Sequence, residues 1–278
     1  MGPRAPIRFQ ERIGMSIEKL VELVESQEGS EIIKNASSFS QAYTSWICSK
    51  KSSGSDRAPG IHASEISGCP RRLVYSIMGT TRKPEPLDAV WHRRFNTGHA
   101  IHQMLQKEFH QMAQSSGGRI GFVDEVTITP ERQEVAKQWV IRSSCDGLFT
   151  VTEKDGKSWR MLLEIKTASP MEFEKLRRPK LEHIEQAHVY MACLGVPVTW
   201  MLYWNKGNQN ITGTDNSEFL VKFDKTIWSG LEQRFQQAHT DAFKKNLPDR
   251  QESIACEFCA FSYTCNPKYL KRRKGPTR

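Results

Sequence analysis

Residues 143–168 read SSCDGLFTVTEKDGKSWRMLLEIKTA. Two runs rich in aliphatic, aromatic and β-branched residues flank Lys154-Asp155-Gly156-Lys157. Asp-Gly between such runs is a strong hairpin signal. Side chains two apart on a strand share a face, so Glu164 and Lys166 point one way while Leu163 and Ile165 point into apolar packing. Loop length then decides what Glu164 meets. A two-residue loop sets Asp146 opposite Ile165. A three- or five-residue loop, or one bulge, sets Asp146 opposite Glu164 and puts both carboxylates on one face. The expectation is the longer loop or a bulge, a device that recurs beside active sites.

Two carboxylates on one face can hold a hard cation such as Mg²⁺ or Mn²⁺ through oxygen. An ammonium beside them can position a water or offset charge in a phosphoryl-transfer transition state. Read without function, the same residues make an exposed strand edge with a Glu–Lys ion pair.

The flanking sequence predicts alternating helices and strands. Helices are expected over residues 16–26, 31–47, 70–79, 88–112, 180–194 and from Asp224 to about residue 245, from apolar spacing, Pro70 at a helix start and Gly195 at a helix end. Strands are expected over 122–129, 138–152, 158–167, 198–203 and 218–223. Residues 49–60, SKKSSGSDRAPG, read as a linker. The expected organisation is a helical N-terminal extension (1–48), that linker, a main domain (61–267) and a basic tail (268–278). The fold class expected is α/β, a mixed central sheet flanked by helices.

Beyond the hairpin, Gln186 and Tyr190 are four apart and so share a helix face. His102 can offer a neutral imidazole to a divalent site, and His99 lies near the same face. SSCDGLF followed by LLEIKTA resembles the core of the PD-(D/E)xK nuclease superfamily, whose restriction-endonuclease-like fold is then expected here. Gly98-His-Ala-Ile101-His102 resembles the G-x-x-(I/V)-H motif of RecB-like nucleases, and Gln186-Ala-His-Val-Tyr190 their Q-x-x-x-Y motif. The resemblance implies a metal-dependent DNA nuclease. Asp146, Glu164 and Lys166 would be catalytic. His102, Asp146, Glu164 and the carbonyl of Ile165 would bind Mg²⁺ or Mn²⁺, and Gln186 and Tyr190 would hold substrate. An end-directed or single-strand exonuclease is implied, with a structure-specific endonuclease or a non-catalytic DNA-end-binding subunit as the alternatives.

Seven cysteines in a chain expected to be cytoplasmic are poor candidates for disulfides. Cys256-x₂-Cys259-x₅-Cys265 has metal-ligand spacing and lacks a fourth ligand. Cys145 and Cys193 read as small buried hydrophobes, and Cys48 precedes the linker. Cys69 in SGCPRRLVY is similar to the upstream cysteine of the iron–sulfur nucleases, among them the CRISPR-adaptation exonucleases and the AddB nuclease domain. That resemblance implies a [4Fe–4S] cluster on Cys69, Cys256, Cys259 and Cys265; structural Zn²⁺ on four thiolates is the alternative. Either would tie the start of the domain to its end.

The chain has 278 residues and a formal charge of +9 from 40 basic and 31 acidic residues. Six of the basic residues lie in 268–278 beside no acidic one, so the rest carries only +3. The balance suits a polyanion partner. Arg71 and Arg72 are candidate substrate contacts; Arg93, Arg94, Lys175, Arg177, Arg178 and Lys180 are further cations. No apolar run reaches the ~18 residues of a membrane span. The N-terminus carries no apolar signal core, and Pro6 stands where a myristoylation signal has Ser or Thr. No G-x-x-x-x-G-K-[ST] is present, so unwinding would need a partner helicase. Annealing and integration proteins, in recombination, phage or CRISPR settings, are the other partners the resemblance implies.

Overall fold

The computed structural model describes residues 22, 25–27, 39–49, 57–82, 88–212, 219–251, 256 and 259–265. By its internal contacts the chain divides into two units, residues 1–50 and 51–278. In the first, α1 spans Phe39–Ser49. This covers the later part of the helix expected over 31–47 and runs two residues further. Most of the helix expected over 16–26, part of the linker and the basic tail lie outside the described residues.

The second unit holds a five-stranded sheet in the order β1 (Ile120–Ile128), β2 (Ser143–Thr152), β3 (Ser158–Ala168), β4 (Val198–Asn205) and β5 (Leu220–Lys222). β3 and β4 are parallel and the other neighbours antiparallel, so the sheet is mixed, as expected. A parallel pair needs a crossover, supplied here by α5 (Pro170–Lys175) and α6 (Leu181–Leu194). Around them lie α2 (Pro70–Ile77), α3 (Ala89–Ser115), α4 (Glu134–Trp139), α7 (Lys225–Phe243) and α8 (Ser262–Cys265).

Local chemistry accounts for the ends of these helices. The Asp88 carboxylate accepts from Trp91 N–H and caps α3, and Asp224 caps α7 through Thr226 N–H. Gly195 closes α6 in the left-handed region, at φ 62°, where glycine meets no Cβ penalty. α4 corrects the expected strand over 138–152, which begins only at Ser143. Ala136 and Trp139, three apart, bury one helical face, and Val140 ends the helix at φ 53°. The Val140 carbonyl then accepts from Ile61 N–H at 2.8 Å.

Apolar side chains cover both sheet faces. Leu105 of α3 packs with Phe122, Phe149, Leu163, Ile165 and Leu202 on one face. On the other, Leu162 and Met201 meet Ala187 and Tyr190 of α6 and Leu231 and Phe235 of α7. Among the described residues no helix is long and apolar enough to cross a membrane.

Candidate active site

The hairpin takes the longer register. Thr152 pairs with Ser158 and Gly147 with Leu163, which sets Asp146 level with Glu164. The turn closes through Glu153 N–H to Lys157 carbonyl, with Gly156 at φ 85° as its left-handed residue. Three-residue hairpin loops favour glycine at that place.

Pairing between β2 and β3 stops at Gly147, and the Asp146 carboxylate enters the gap. Its Oδ2 accepts from Ile165 N–H at 2.6 Å, and its Oδ1 lies 3.0 Å from His102 Nδ1. β1 is irregular at the same level. Asp124 pairs with Gly147 and Val126 with Cys145, while the Glu125–Asp146 pair between them is missing and Glu125 has φ 47°. No residue is inserted, yet both strands change sides here. Phe122 and Phe149 pack on the α3 face, whereas Val126, Ile128 and Cys145 pack on the α6 face. The distortion marks Asp146 as a site where regular pairing has given way to side-chain placement.

α3 carries a stripe of polar and small residues four apart. Gly98 lets the helix approach Thr167, His102 meets Asp146, and Gln106 Nε2 donates to the Asp146 carbonyl at 2.9 Å and to Glu125 Oε1 at 3.1 Å. Burial works against a charged His102, but the hydrogen bond and charge of Asp146 raise its pKa overall. His99 is exposed.

Glu164 is almost fully buried, with 4 % of its side chain accessible. Lys166 Nζ lies 2.7 Å from Glu164 Oε1 and donates to Gln186 Oε1 at 2.9 Å. Gln186 Nε2 donates in turn to the Tyr190 hydroxyl at 2.7 Å. Burial raises the Glu164 pKa; Lys166 opposes that and Asp146 adds to it. Burial likewise raises Tyr190, helped by the Glu164 charge. His183 sits beside this network with its pKa pushed down to about 3 by burial and then by Lys166 and Lys180. Its Nδ1 is 2.6 Å from the Tyr203 hydroxyl, so Tyr203 is a buried structural partner here.

A cleft of about 490 Å³ opens onto these groups. Asp146, Glu164, Gln186 and Tyr190 line it, together with Arg57, Ser64, Arg142 and Ser144. The last four were not singled out from sequence. Ser144 could have been, because it precedes Asp146 by two on one strand. Gln106 follows His102 by four on one helix. Arg57 and Arg142 carry no such local signal, since tertiary contacts bring them in.

Arg71 and Arg72 lie outside that lining. Arg71 Nε donates to the Pro248 carbonyl and its Nη1 lies 3.7 Å from Cys265 Sγ. Arg72 Nη2 lies 2.9 Å from Glu65 Oε1. Cys69, Cys256, Cys259 and Cys265 are half-buried, while Cys145 and Cys193 are buried. Cys259 N–H donates to the Cys256 carbonyl, and burial raises the Cys259 pKa, with Cys256 and Cys265 among the neighbouring groups that shift it. Among the described residues no three His, Cys, Asp or Glu side chains are gathered closely enough to hold a metal ion. Protein groups meet both Asp146 carboxylate oxygens and Glu164 Oε1. In kind, two adjacent carboxylates and an imidazole fit a hard divalent cation, and four thiols fit iron or zinc.

No family model matches the chain, and no curated protein matches it. Similar solved structures include LHK-Exo, an alkaline exonuclease from Laribacter hongkongensis, at 17 % identity over 78 % of this chain and 94 % of that one, with a TM-score of 0.44. LHK-Exo in complex with dAMP aligns at 16 % identity over 69 % of this chain and 91 % of that one, with a TM-score of 0.46. SSO0001 aligns at 15 % identity over 83 % and 98 %, with a TM-score of 0.44.

Proposed function

We propose that this chain is a metal-dependent deoxyribonuclease of the PD-(D/E)xK type that hydrolyses phosphodiester bonds. One observation carries the reading: Asp146, Glu164, Lys166, His102 and Gln186 converge from four elements beside a cleft that arginines also line. A buried Glu164 with a single lysine partner, next to a second carboxylate, is a costly arrangement for stability alone.

His102, Asp146, Glu164 and the Ile165 carbonyl would hold Mg²⁺ or Mn²⁺. Ile165 N–H points at Asp146, and in an extended strand a residue's carbonyl leaves on the same edge as its N–H. A divalent cation bound there supplies charge at the phosphoryl oxygen and a more acidic water. Lys166, fixed by Glu164 and Gln186, orients the attacking water and offsets charge as the P–O bond to the leaving strand breaks. Arg57 and Arg142, with the Ser64 and Ser144 hydroxyls, offer donors to the strand's phosphates. The mode proposed, on sequence resemblance, is end-directed exonuclease action on DNA.

Cys69, Cys256, Cys259 and Cys265 are proposed to hold a [4Fe–4S] cluster, with structural Zn²⁺ as the alternative. Arg71, hydrogen-bonded to Cys265, has its pKa raised chiefly by that bond, and Cys69 adds to the shift. Metal analysis after anaerobic purification tests this, and a chain with neither iron nor zinc contradicts it. The nuclease reading is tested by DNA cleavage with Mg²⁺ or Mn²⁺ in the intact chain and in Glu164→Ala and Lys166→Ala. Both variants lose cleavage and keep the fold. Full activity in either contradicts the assignment.

A further inference from the structure

We infer that Glu65 is a positioning residue for the substrate strand: it fixes Arg57 in the cleft wall and ties that wall to the segment carrying the C-terminal cysteines. The inference rests on the nuclease reading of the cleft.

Glu65 is buried, with 2 % of its side chain accessible, and gathers three guanidiniums. Its Oε1 lies 3.1 Å from Arg57 Nη1, 2.9 Å from Arg72 Nη2 and 2.9 Å from Arg82 Nη1, and its Oε2 lies 3.1 Å from Arg82 Nη2. One buried carboxylate needs one cation to be balanced; three leave a local surplus of positive charge. Of the three, Arg57 lines the cleft, with 42 % of its side chain accessible and Nη1 also 3.4 Å from Ser64 Oγ. A long side chain held at one end is ordered before substrate arrives, which removes that cost from binding.

Arg82 continues the chain of contacts away from the cleft. It is nearly buried, donates to Ser76 Oγ at 2.7 Å and lies over the Phe261 ring at 4.9 Å. Phe261 sits between Cys259 and Cys265 and packs on Tyr75 at 5.5 Å. A single carboxylate therefore connects the cleft wall with the cysteine segment.

Charge alone and positioning predict opposite signs. Removing a negative group beside the cleft strengthens polyanion binding if only the field matters. If Glu65 holds Arg57 in place, the same change weakens binding. The experiment is fluorescence anisotropy of a labelled single-stranded oligonucleotide on the full chain, in an Asp146→Ala background that prevents cleavage. Glu65→Gln weakens binding about tenfold, the scale of one hydrogen bond to a charged group. Arg57→Gln weakens it comparably, and the double variant is no weaker than Arg57→Gln alone. Unchanged or tighter binding in Glu65→Gln, or losses that simply add, overturns the inference. Should Glu65→Gln not fold, Arg82→Lys, which keeps the charge and loses the two-pronged grip, weakens binding only when Arg57 is present; a loss that persists without Arg57, or no loss, overturns it. An Asp146→Ala chain that binds no oligonucleotide contradicts the nuclease reading and this one together, whereas binding that ignores Glu65→Gln contradicts this one alone.

Discussion

Ile165 N–H donates to Asp146 Oδ2 across 2.6 Å at the point where β2 and β3 cease to pair. The carboxylate thus stands in for a missing backbone acceptor while its other oxygen meets His102. Asp146 is both a structural acceptor and a proposed metal ligand, and two substitutions separate the roles. Asp146→Ala leaves a buried N–H unpaired and lowers unfolding stability by about 1–3 kcal/mol. Asp146→Asn keeps an oxygen acceptor and costs about 1 kcal/mol or less. Both reduce DNA cleavage by about a thousandfold or more, the scale of losing a key electrostatic group. Urea unfolding and initial rates, measured side by side, check the split.

Gln186 bridges Lys166 and Tyr190 through its two amide ends. Gln186→Leu keeps the volume and removes both hydrogen bonds, so Lys166 loses one of its two holds. Turnover falls about ten- to hundredfold, the penalty of a misplaced group near the reacting atoms. The pH–rate profile and kcat measured at saturating DNA distinguish this from weakened binding.

How much of this was legible in the sequence depends on the range of the contacts. The Asp155-Gly156 turn placed the hairpin, but its register followed from setting Asp146 beside Glu164, because a two-residue loop gives the other pairing. The Gln186–Tyr190 pair followed from helical spacing, and His102 from the motif it resembles. The end of α4 was misread as the start of a strand because Trp139–Ile141 is short and apolar, a pattern that suits either element. The face change at Glu125 and Asp146 left no trace in the alternation of either strand alone. Glu65 was not singled out from sequence, because the arginines that surround it come from positions 57, 72 and 82 and meet only in the folded chain.

Glu65 also makes the fold acid-sensitive. Burial pushes its pKa up, but the hydrogen bonds from Arg82 and the charges of Arg72, Arg82 and Arg57 outweigh that and hold it at about 2. A folded value below the unfolded one contributes stability that is fully present above the unfolded value of 4.5 and lost as pH falls toward 2. The contribution is about 3 kcal/mol at neutral pH. In Glu65→Gln the loss of stability between pH 5 and about 2 is shallower by a similar amount, read from urea midpoints across that window.

Gly147 pairs with both Asp124 and Leu163, in the centre of the sheet. A Cβ there would overlap the Phe122 ring. Phe122 is itself buried against Phe109 and Phe149, so it has little room to yield. Gly147→Ala therefore lowers stability by about 1–3 kcal/mol through overpacking and, one residue from Asp146, lowers cleavage as well. Thermal unfolding of the variant checks the first effect.

The most direct test of the account is digestion of end-labelled linear and circular single-stranded DNA with Mn²⁺, by the intact chain and by Asp146→Asn. The account predicts loss of the linear strand from its end by the intact chain, survival of the circle, and no loss of either with Asp146→Asn. Equal digestion by the variant, or none by an intact chain that binds the DNA and unfolds cooperatively, would contradict it.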